Sequence, residues 1–223
     1  MQMTKVNPFL IVGLFAMLIL CTNTARAQYY SNEPTFFGGF ILGTNFAQVD
    51  GDNFAGYRKI GLNAGAIVHT RLMDQATISM SLLYSEKGSL AGKGQLPKRG
   101  FDQQTLITEY DIVLQTAEIP INFNYFFPDN KSIVSAGFSY AQLVNAKARV
   151  NGVSTEDIYP FNKYDVALNI GASYKVYKRF HLGFRFQNSI LNIRETHDPR
   201  IERASQTNRS ISLRLFYLIK PEE

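Results

Sequence analysis

The chain has 223 residues and a mass of 25.2 kDa, a length that suits a single domain. A hydrophobic content of 45% excludes a disordered chain, and a formal net charge of +5 is too small to predict nucleic-acid binding. Mean hydropathy is −0.12, but alternating apolar and polar residues cancel in such an average, so this value does not exclude a membrane protein.

Residues 1–27 are predicted to be a cleaved secretory signal peptide. Lys5 supplies a basic start, and "FLIVGLFAMLIL" (9–20) is an apolar run of the length typical of signal peptides, too short for an ordinary spanning helix. "ARA" (25–27) places small residues before a cleavage site. "LILC" (18–21) offers a competing lipoprotein site at Cys21, but Leu20 stands where such signals need a small residue.

Cleavage would remove Lys5 and Arg26, so Lys plus Arg would fall from 23 to 21 against 18 Asp plus Glu, leaving a net charge of +3. Cys21 is the only cysteine, so the mature chain 28–223 could form neither disulfides nor thiolate metal sites. Something else must hold an exported chain of this kind, and a closed ladder of strands would serve.

The mature segment shows the alternation typical of β-strands in eight places, and it contains no convincing helix. The predicted strands are 35–48, 58–71, 76–87, 109–127, 132–147, 163–177, 180–194 and 208–219. In the fourth strand, apolar residues share one face: Ile119, Ile121, Phe123, Tyr125 and Phe127. Polar residues and a proline share the other: Glu118, Pro120, Asn122 and Asn124.

The predicted connections alternate strictly between long and short. The long ones are 49–57, 88–108, 148–162 and 195–207, and the short turns are 73–75, 128–131 and 177–179. In antiparallel hairpins, all the short turns then lie at one end. This arrangement predicts an all-β, eight-stranded antiparallel up-and-down transmembrane barrel of the bacterial outer membrane, closed because open edges in lipid leave backbone groups unpaired.

Aromatic residues bunch near the predicted turn end of several strands. With no Trp in the chain, Tyr and Phe must form the interfacial girdles. The predicted periplasmic girdle contains Tyr125, Phe127, Tyr177, Phe180 and Tyr217. Tyr84 and Tyr140 are expected nearer the loop end.

Five segments of the chain resemble the PorT-like outer-membrane β-barrel family. They are "GGFILGTNFAQVDGDNFAGYRKIGLNAGAIV" (38–68), "SLLYSEKG" (81–88), "AEIPINFNYFF" (117–127), "SAGFSYAQLVNAK" (135–147) and "GASYKVYKRFHLGFRFQNSILNI" (171–193). The resemblance covers essentially the whole mature chain and implies an eight-stranded outer-membrane barrel. The family's namesake takes part in protein secretion, a role that these pattern-like motifs do not themselves carry.

Several charged residues are predicted to face the lumen and to form a charge network there. They are Glu118, Asp165, Lys175, Arg185 and Arg214, with the polar His181 nearby. Because a lone buried ion costs several kcal/mol, Glu118 is expected to pair with Arg185, Arg214 or both. The network is predicted to plug a narrow lumen, and a gated polar path is the alternative.

The sequence offers little support for catalysis or for a cofactor. His69, His181 and His197 have no metal-binding spacing, and no phosphate-loop pattern is present, so no metal or cofactor is predicted. "ETHD" (195–198) and Ser205 could supply the parts of a lipid-modifying enzyme, but nothing places a nucleophile beside a base.

Basic residues in the loop segment "EKGSLAGKGQLPKRGFDQQT" (86–105) could contact lipopolysaccharide phosphates, although such charges are commonly just solvated. These residues are Lys87, Lys93, Lys98 and Arg99.

The sequence therefore predicts a monomeric outer-membrane barrel that contacts membrane lipid and lipopolysaccharide. Its expected role is that of a structural, interaction or accessory component of the envelope, with envelope proteins as possible partners and no enzyme activity. Three alternatives stay open: a narrow pore or transport component, an outer-membrane lipid-modifying enzyme, and a soluble periplasmic ligand-binding barrel with the apolar face inside.

Overall fold

A computed structural model describes residues 36–52, 54, 56–91, 109–129, 131–154, 160–194 and 206–219. Its strands are β1 Phe36–Asp50, β2 Lys59–Met73, β3 Ala76–Ala91, β4 Tyr110–Phe126, β5 Ser132–Val150, β6 Val153–Ser154, β7 Tyr164–Tyr177, β8 Phe180–Ser189 and β9 Thr207–Ile219. The predicted signal peptide lies outside the described residues. No helix in the described residues is long and apolar enough to cross a membrane.

Eight long antiparallel strands close into one barrel. Around the barrel the order is β1, β2, β3, β4, β5, β7, β8 and β9, and β9 pairs with β1 to complete the ring. The two-residue β6 pairs only with the end of β5. The prediction of an all-β, eight-stranded up-and-down barrel is confirmed, and closure leaves no open sheet edge in the ring.

The two faces of each strand have opposite polarity. Outward side chains are apolar and exposed, as Phe40 at 59%, Leu82 at 63% and Ile170 at 60% illustrate, whereas inward positions are mostly polar and buried. A soluble protein does not expose so continuous an apolar surface, while lipid requires one. The soluble barrel with an apolar interior needs the reverse polarity and is therefore not supported.

Tyrosines mark both borders of the apolar outer band. On the turn side, the Tyr125 hydroxyl donates to Gln75 Oε1 at 3.0 Å, and on the loop side the Tyr140 hydroxyl donates to Gln142 Oε1 at 3.0 Å. Each ring lies against apolar surface while its hydroxyl meets a polar partner, the usual position of tyrosine at a membrane interface.

Three strands continue past the loop-side border. The β2–β3 register ends at Asn63–Ser85 and the β5–β7 register ends at Gln142–Tyr164, whereas β3, β4 and β5 stay paired up to Ala91, Tyr110 and Val150. We call residues 87–91, 110–115 and 145–150 the loop-side lid.

Some predicted strand ends differ from the observed ones. β3 and β5 extend into the predicted long loops 88–108 and 148–162, and β8 ends at Ser189, short of the predicted residue 194. The tight turns agree more closely. In the turn after β4, Asp129 accepts hydrogen bonds from the backbone amides of Ser132 and Lys131 and from the Ser132 hydroxyl, which hold the pKa of this exposed carboxyl below its usual value.

Closure by β1 and β9 can be tested by cross-linking. Thr44 and Leu213 lie directly opposite each other on the outer face of this pair, where antiparallel Cα atoms are about 4.5–5.5 Å apart, within disulfide range. In a Cys21→Ser background, Thr44→Cys/Leu213→Cys should oxidise and migrate faster on a boiled, non-reducing SDS gel. Thr44→Cys/Phe123→Cys places both thiols on non-neighbouring strands and should not. Equal behaviour of the two variants would contradict closure.

Candidate functional site: a filled lumen

The lumen holds a buried carboxylate with partners from two other strands. Glu118 on β4 is fully buried; its Oε2 accepts a hydrogen bond from Lys87 Nζ at 2.8 Å, and its Oε1 accepts one from Gln187 Nε2 at 3.1 Å. Gln187 also donates to Ser139 Oγ on β5 at 2.7 Å. Arg185 Nη1 lies 3.1 Å from Glu118 Oε1, an ion-pair contact without hydrogen-bond geometry.

We call Lys87, Glu118, Arg185 and Gln187 the central charge network. Its members come from opposite walls of the barrel: three strands separate β3 from β8 in either direction around the ring. The network therefore spans the lumen rather than lining one side of it. A buried ion is tolerable only when it is paired and hydrogen-bonded, and here two cations and an amide meet one carboxylate.

A second set of polar side chains connects β1, β2, β3 and β9. Asn45 on β1 donates to Ser85 Oγ on β3 at 3.0 Å and accepts from Ser212 Oγ on β9 at 2.7 Å. Asn63 on β2 also donates to Ser85 Oγ, at 3.3 Å. All four side chains are buried, and these hydrogen bonds pair most of their polar atoms; Asn63 Oδ1 makes no hydrogen bond to another described residue.

The loop-side mouth is closed by an apolar core beneath the lid. Its members are Val49, Phe54, Ala91, Tyr110, Ile112, Leu114, Ala148 and Ile193. The Phe54 and Tyr110 rings lie 4.8 Å apart, and Phe54 is anchored by its backbone amide, which donates to buried Asp52. The lumen is therefore apolar at this end, because the inward residues there lie outside the lipid and pack like the core of a soluble protein.

The turn-side half of the lumen combines an apolar wall with a polar cavity. Phe37 stacks on His69 with ring centroids 4.6 Å apart, and His69 Nδ1 lies 3.2 Å from Thr77 Oγ1. We call the neighbouring space, a volume of about 30 Å³, the turn-side cavity. Arg214 and Asn124 are among the polar side chains that line it.

The structure brings two of the predicted lumen charges together and leaves three elsewhere. Glu118 and Arg185 are paired, whereas Arg214 is buried with its guanidinium 4.9 Å from the Phe216 ring centroid. Asp165 accepts a hydrogen bond from Ser189 at 2.6 Å near the loop end.

Lys175 does not join the buried charges, since its side chain is exposed. It lies near the end of β7, two residues before the last, where an inward position has reached the turn-side mouth and water. His181, its register partner on β8, is buried and lines the turn-side cavity.

Lys87 and Gln187 are the network members that sequence reasoning missed or misplaced. Lys87 was expected in a surface loop, but β3 continues through it, and its side chain points inward at 2% exposure. The available signal was the alternation of Thr77, Ser79, Ser81, Leu83, Ser85 and Lys87, which keeps one phase along β3. Gln187 was placed on the correct face without a partner.

The predicted periplasmic girdle lies at the turn end of its strands. Tyr125 packs edge-on against Phe127 with centroids 5.5 Å apart, and Phe180 lies 5.1 Å from Tyr217. Tyr177 is 62% exposed. Together these rings form aromatic surface beside the tight turns, at the level where interfacial residues are expected.

Other sequence candidates fall outside the described residues: His197, Ser205 and the rest of "ETHD", and the basic residues Lys93, Lys98 and Arg99. Within the described part of the chain, His, Cys, Asp and Glu side chains form no cluster that could hold a metal ion.

Comparison with known proteins identifies barrels of the same kind. A family model described as "Outer membrane protein beta-barrel domain" matches residues 26–195. Ail of Yersinia pestis is 11% identical, with a TM-score of 0.45 over 83% of this chain and 100% of that chain. Neisserial surface protein A is 10% identical, with a TM-score of 0.46 over 84% and 99% of the two chains.

OprG from Pseudomonas aeruginosa is 10% identical, with a TM-score of 0.40 over 82% of this chain and 91% of that chain. A search of curated proteins gives no match. At these identities the structural likeness concerns the fold alone.

The central charge network predicts a strong stability effect at Glu118. Glu118→Gln removes the carboxylate and leaves Lys87 and Arg185 buried without their counter-ion, so we expect a loss of about 3–5 kcal/mol in the free energy of unfolding. Equilibrium unfolding by urea in lipid vesicles measures it. The matched control is Glu86→Gln, a half-buried neighbour of Lys87, for which we expect a change within about 1 kcal/mol. Equal stability of the two variants would contradict the network.

Proposed function

The chain belongs to the family of outer membrane protein beta-barrel domains, and from that premise we propose that it is a monomeric, non-conducting barrel that serves as a structural or interaction component of the bacterial outer membrane. The observation that carries the proposal is the filled lumen. A barrel of eight strands has an interior just wide enough for side chains, and here side chains occupy it at successive levels.

The central charge network supports closure of the lumen near the loop-side border, since Glu118 adjoins the rungs of Tyr84 and Tyr140. Lys87, Glu118 and Arg185 are at most 2% exposed, and they are held together by contacts of 2.8 and 3.1 Å. An ion passing this level would have to separate the buried ion pairs of Glu118 and leave their charges without a counter-ion. Separating such a pair costs several kcal/mol, which favours a plug over a gated polar path.

The apolar core beneath the lid supports a second barrier at the loop side. Tyr110, Ile112 and Leu114 are at most 2% exposed and pack against Val49 and Ile193 from distant parts of the chain. Water and ions have no hydrogen-bonding partners in such a core. Two barriers of different chemistry in series favour a non-conducting barrel over the narrow-pore alternative.

The loop-side lid supports the interaction role. From the rung that pairs Tyr84 with Ala117 to the rung that pairs Ala91 with Tyr110, seven residues add a rise of roughly 16 Å along the membrane normal, at about 3.3 Å per residue and about 45° tilt. This raised sheet presents exposed Lys147 and Arg149 on its outer side. Cations at this height favour contact with the phosphates of lipopolysaccharide or with an acidic envelope protein.

The resemblance to the PorT-like family favours an accessory role in secretion as the finer form of this proposal. A raised, ordered surface on a non-conducting barrel suits an accessory subunit that docks onto a larger envelope assembly. A lipid-modifying enzyme would depend on residues of the 195–205 connection, outside the described residues, and finds no support in the geometry of the lumen.

Planar-bilayer recording tests whether the lumen conducts. In about 1 M potassium chloride, we expect the wild-type barrel to give no stable single-channel current steps, because the charge network and the lid core both block the lumen. Insertion is verified independently by flotation with the vesicles and by the mobility shift between unheated and boiled SDS gels. Reproducible unitary steps from verified, inserted wild-type protein would overturn the plug and favour the pore.

Contact with lipopolysaccharide is tested by stability in vesicles with and without it. Lys147→Gln/Arg149→Gln should lose most of the lipopolysaccharide-dependent rise in unfolding temperature, since each surface cation contributes about 1 kcal/mol beside anionic groups. Lys131→Gln/Lys175→Gln removes the same charge from exposed positions at the turn end and should keep the rise. Identical rises in both variants would rule out the lid cations as the contact.

A further inference from the structure

The turn-side cavity lies beside a cluster of buried positive charge. Lys87, Arg185 and Arg214 are all at least nine-tenths buried and face the same lumen. Glu118 is the carboxylate among them, and it is already engaged by Lys87 at 2.8 Å and by Arg185 at 3.1 Å. The buried carboxylates Asp165 and Asp52 lie nearer the loop end, where they accept hydrogen bonds from Ser189 and Ser89. The three cations therefore share Glu118, and the excess of positive charge that remains is penalised strongly in a low-dielectric interior.

Of these three cations, Arg214 is the one that lines the turn-side cavity. It lines the cavity wall at 6% exposure, and its buried Nε makes no hydrogen bond to another described residue. Register places it on β9 next to Arg185 on β8, since Gly183 pairs with Arg214 and Arg185 pairs with Ser212. Its guanidinium carbon lies 4.9 Å from the centroid of the Phe216 ring.

The rest of the cavity wall is suited to an anion. Hydroxyl and amide groups of Ser79, Ser135, Ser173 and Asn122 line it, and none of its described lining residues is an Asp or a Glu. Neutral donors around one buried guanidinium are the usual means by which proteins hold a small anion away from water. A cation would meet Arg214 without any carboxylate to offset it.

Size narrows the class of anion. The cavity volume of about 30 Å³ is enough for about two water molecules. A halide is close to water in size, whereas a lipid headgroup or a sugar is several times larger. We propose that the turn-side cavity binds a small inorganic anion of halide size at Arg214, which supplies the counter-charge that Glu118 alone does not.

Anion exchange at constant ionic strength tests the proposal in the intact barrel. In vesicles or detergent, sodium gluconate is replaced stepwise by sodium chloride, and the unfolding temperature is followed by circular dichroism at one fixed scan rate. Because a ligand that binds only the folded state stabilises it by mass action, we expect a saturable rise with chloride in the wild type. Gluconate is too large for the cavity, so it serves as the non-binding anion.

Two variants on the same strand separate the site from general salt effects. Arg214→Gln should abolish the rise. Arg209→Gln, which removes the same charge from an exposed pair with Asp50 at 3.1 Å, should keep it. A flat wild-type response, or an equal rise in Arg214→Gln, would overturn the proposal.

Bromide gives a readout that does not depend on any variant folding. Crystals of the wild-type barrel grown in sodium bromide should show an anomalous-scattering peak within hydrogen-bonding reach of the Arg214 guanidinium. Absence of a peak there, or peaks only at the protein surface, would also overturn the proposal.

Discussion

Backbone hydrogen bonding in lipid is the constraint on which the rest of this structure depends. A strand in the hydrocarbon has no water to pair with its amides and carbonyls, so the ladder must close on itself, and here β9 returns to β1 to close it. Closure with eight strands fixes a narrow lumen. The narrow lumen in turn requires that the inward residues fill the space and satisfy one another, which is why the interior is a packed network rather than a channel.

The inward residues meet this requirement with different chemistry at different depths. Near the loop-side border, Glu118 ties β4 to cations on β3 and β8, so one carboxylate connects opposite walls. At the loop side, the same inward positions are apolar and form an ordinary core. Toward the turns, polar groups surround the cavity, where the charge of Arg214 exceeds what Glu118 can compensate. Stability, the proposed impermeability and the proposed anion site thus follow from the same requirement, that the inward residues fill a narrow lumen.

Much of this architecture was predictable because alternation with a period of two is a local property. Eight strands, their faces and the turn-side aromatic residues follow from reading the sequence one segment at a time. Partners across the lumen do not, because they depend on barrel stagger and curvature, and this is why Lys87 and Gln187 were not recognised as neighbours of Glu118. Residues 88–91 and 148–150 of the lid were predicted as loop, whereas 110–115 lay within the predicted fourth strand. The apolar residues Ile112 and Leu114 occupy the face opposite to that of Ile119 and Ile121, and a single lipid-facing pattern did not predict that switch.

That change of face within β4 has a consequence for the order of assembly. The membrane part of a strand becomes stable by turning its apolar residues to lipid, while the lid part becomes stable only by turning them to one another. The lid core gathers Val49, Ala91, Tyr110, Ala148 and Ile193, which belong to four successive hairpin connections along the chain. The core is complete only when all four connections have come together, so we expect it to be the last part of the barrel to form.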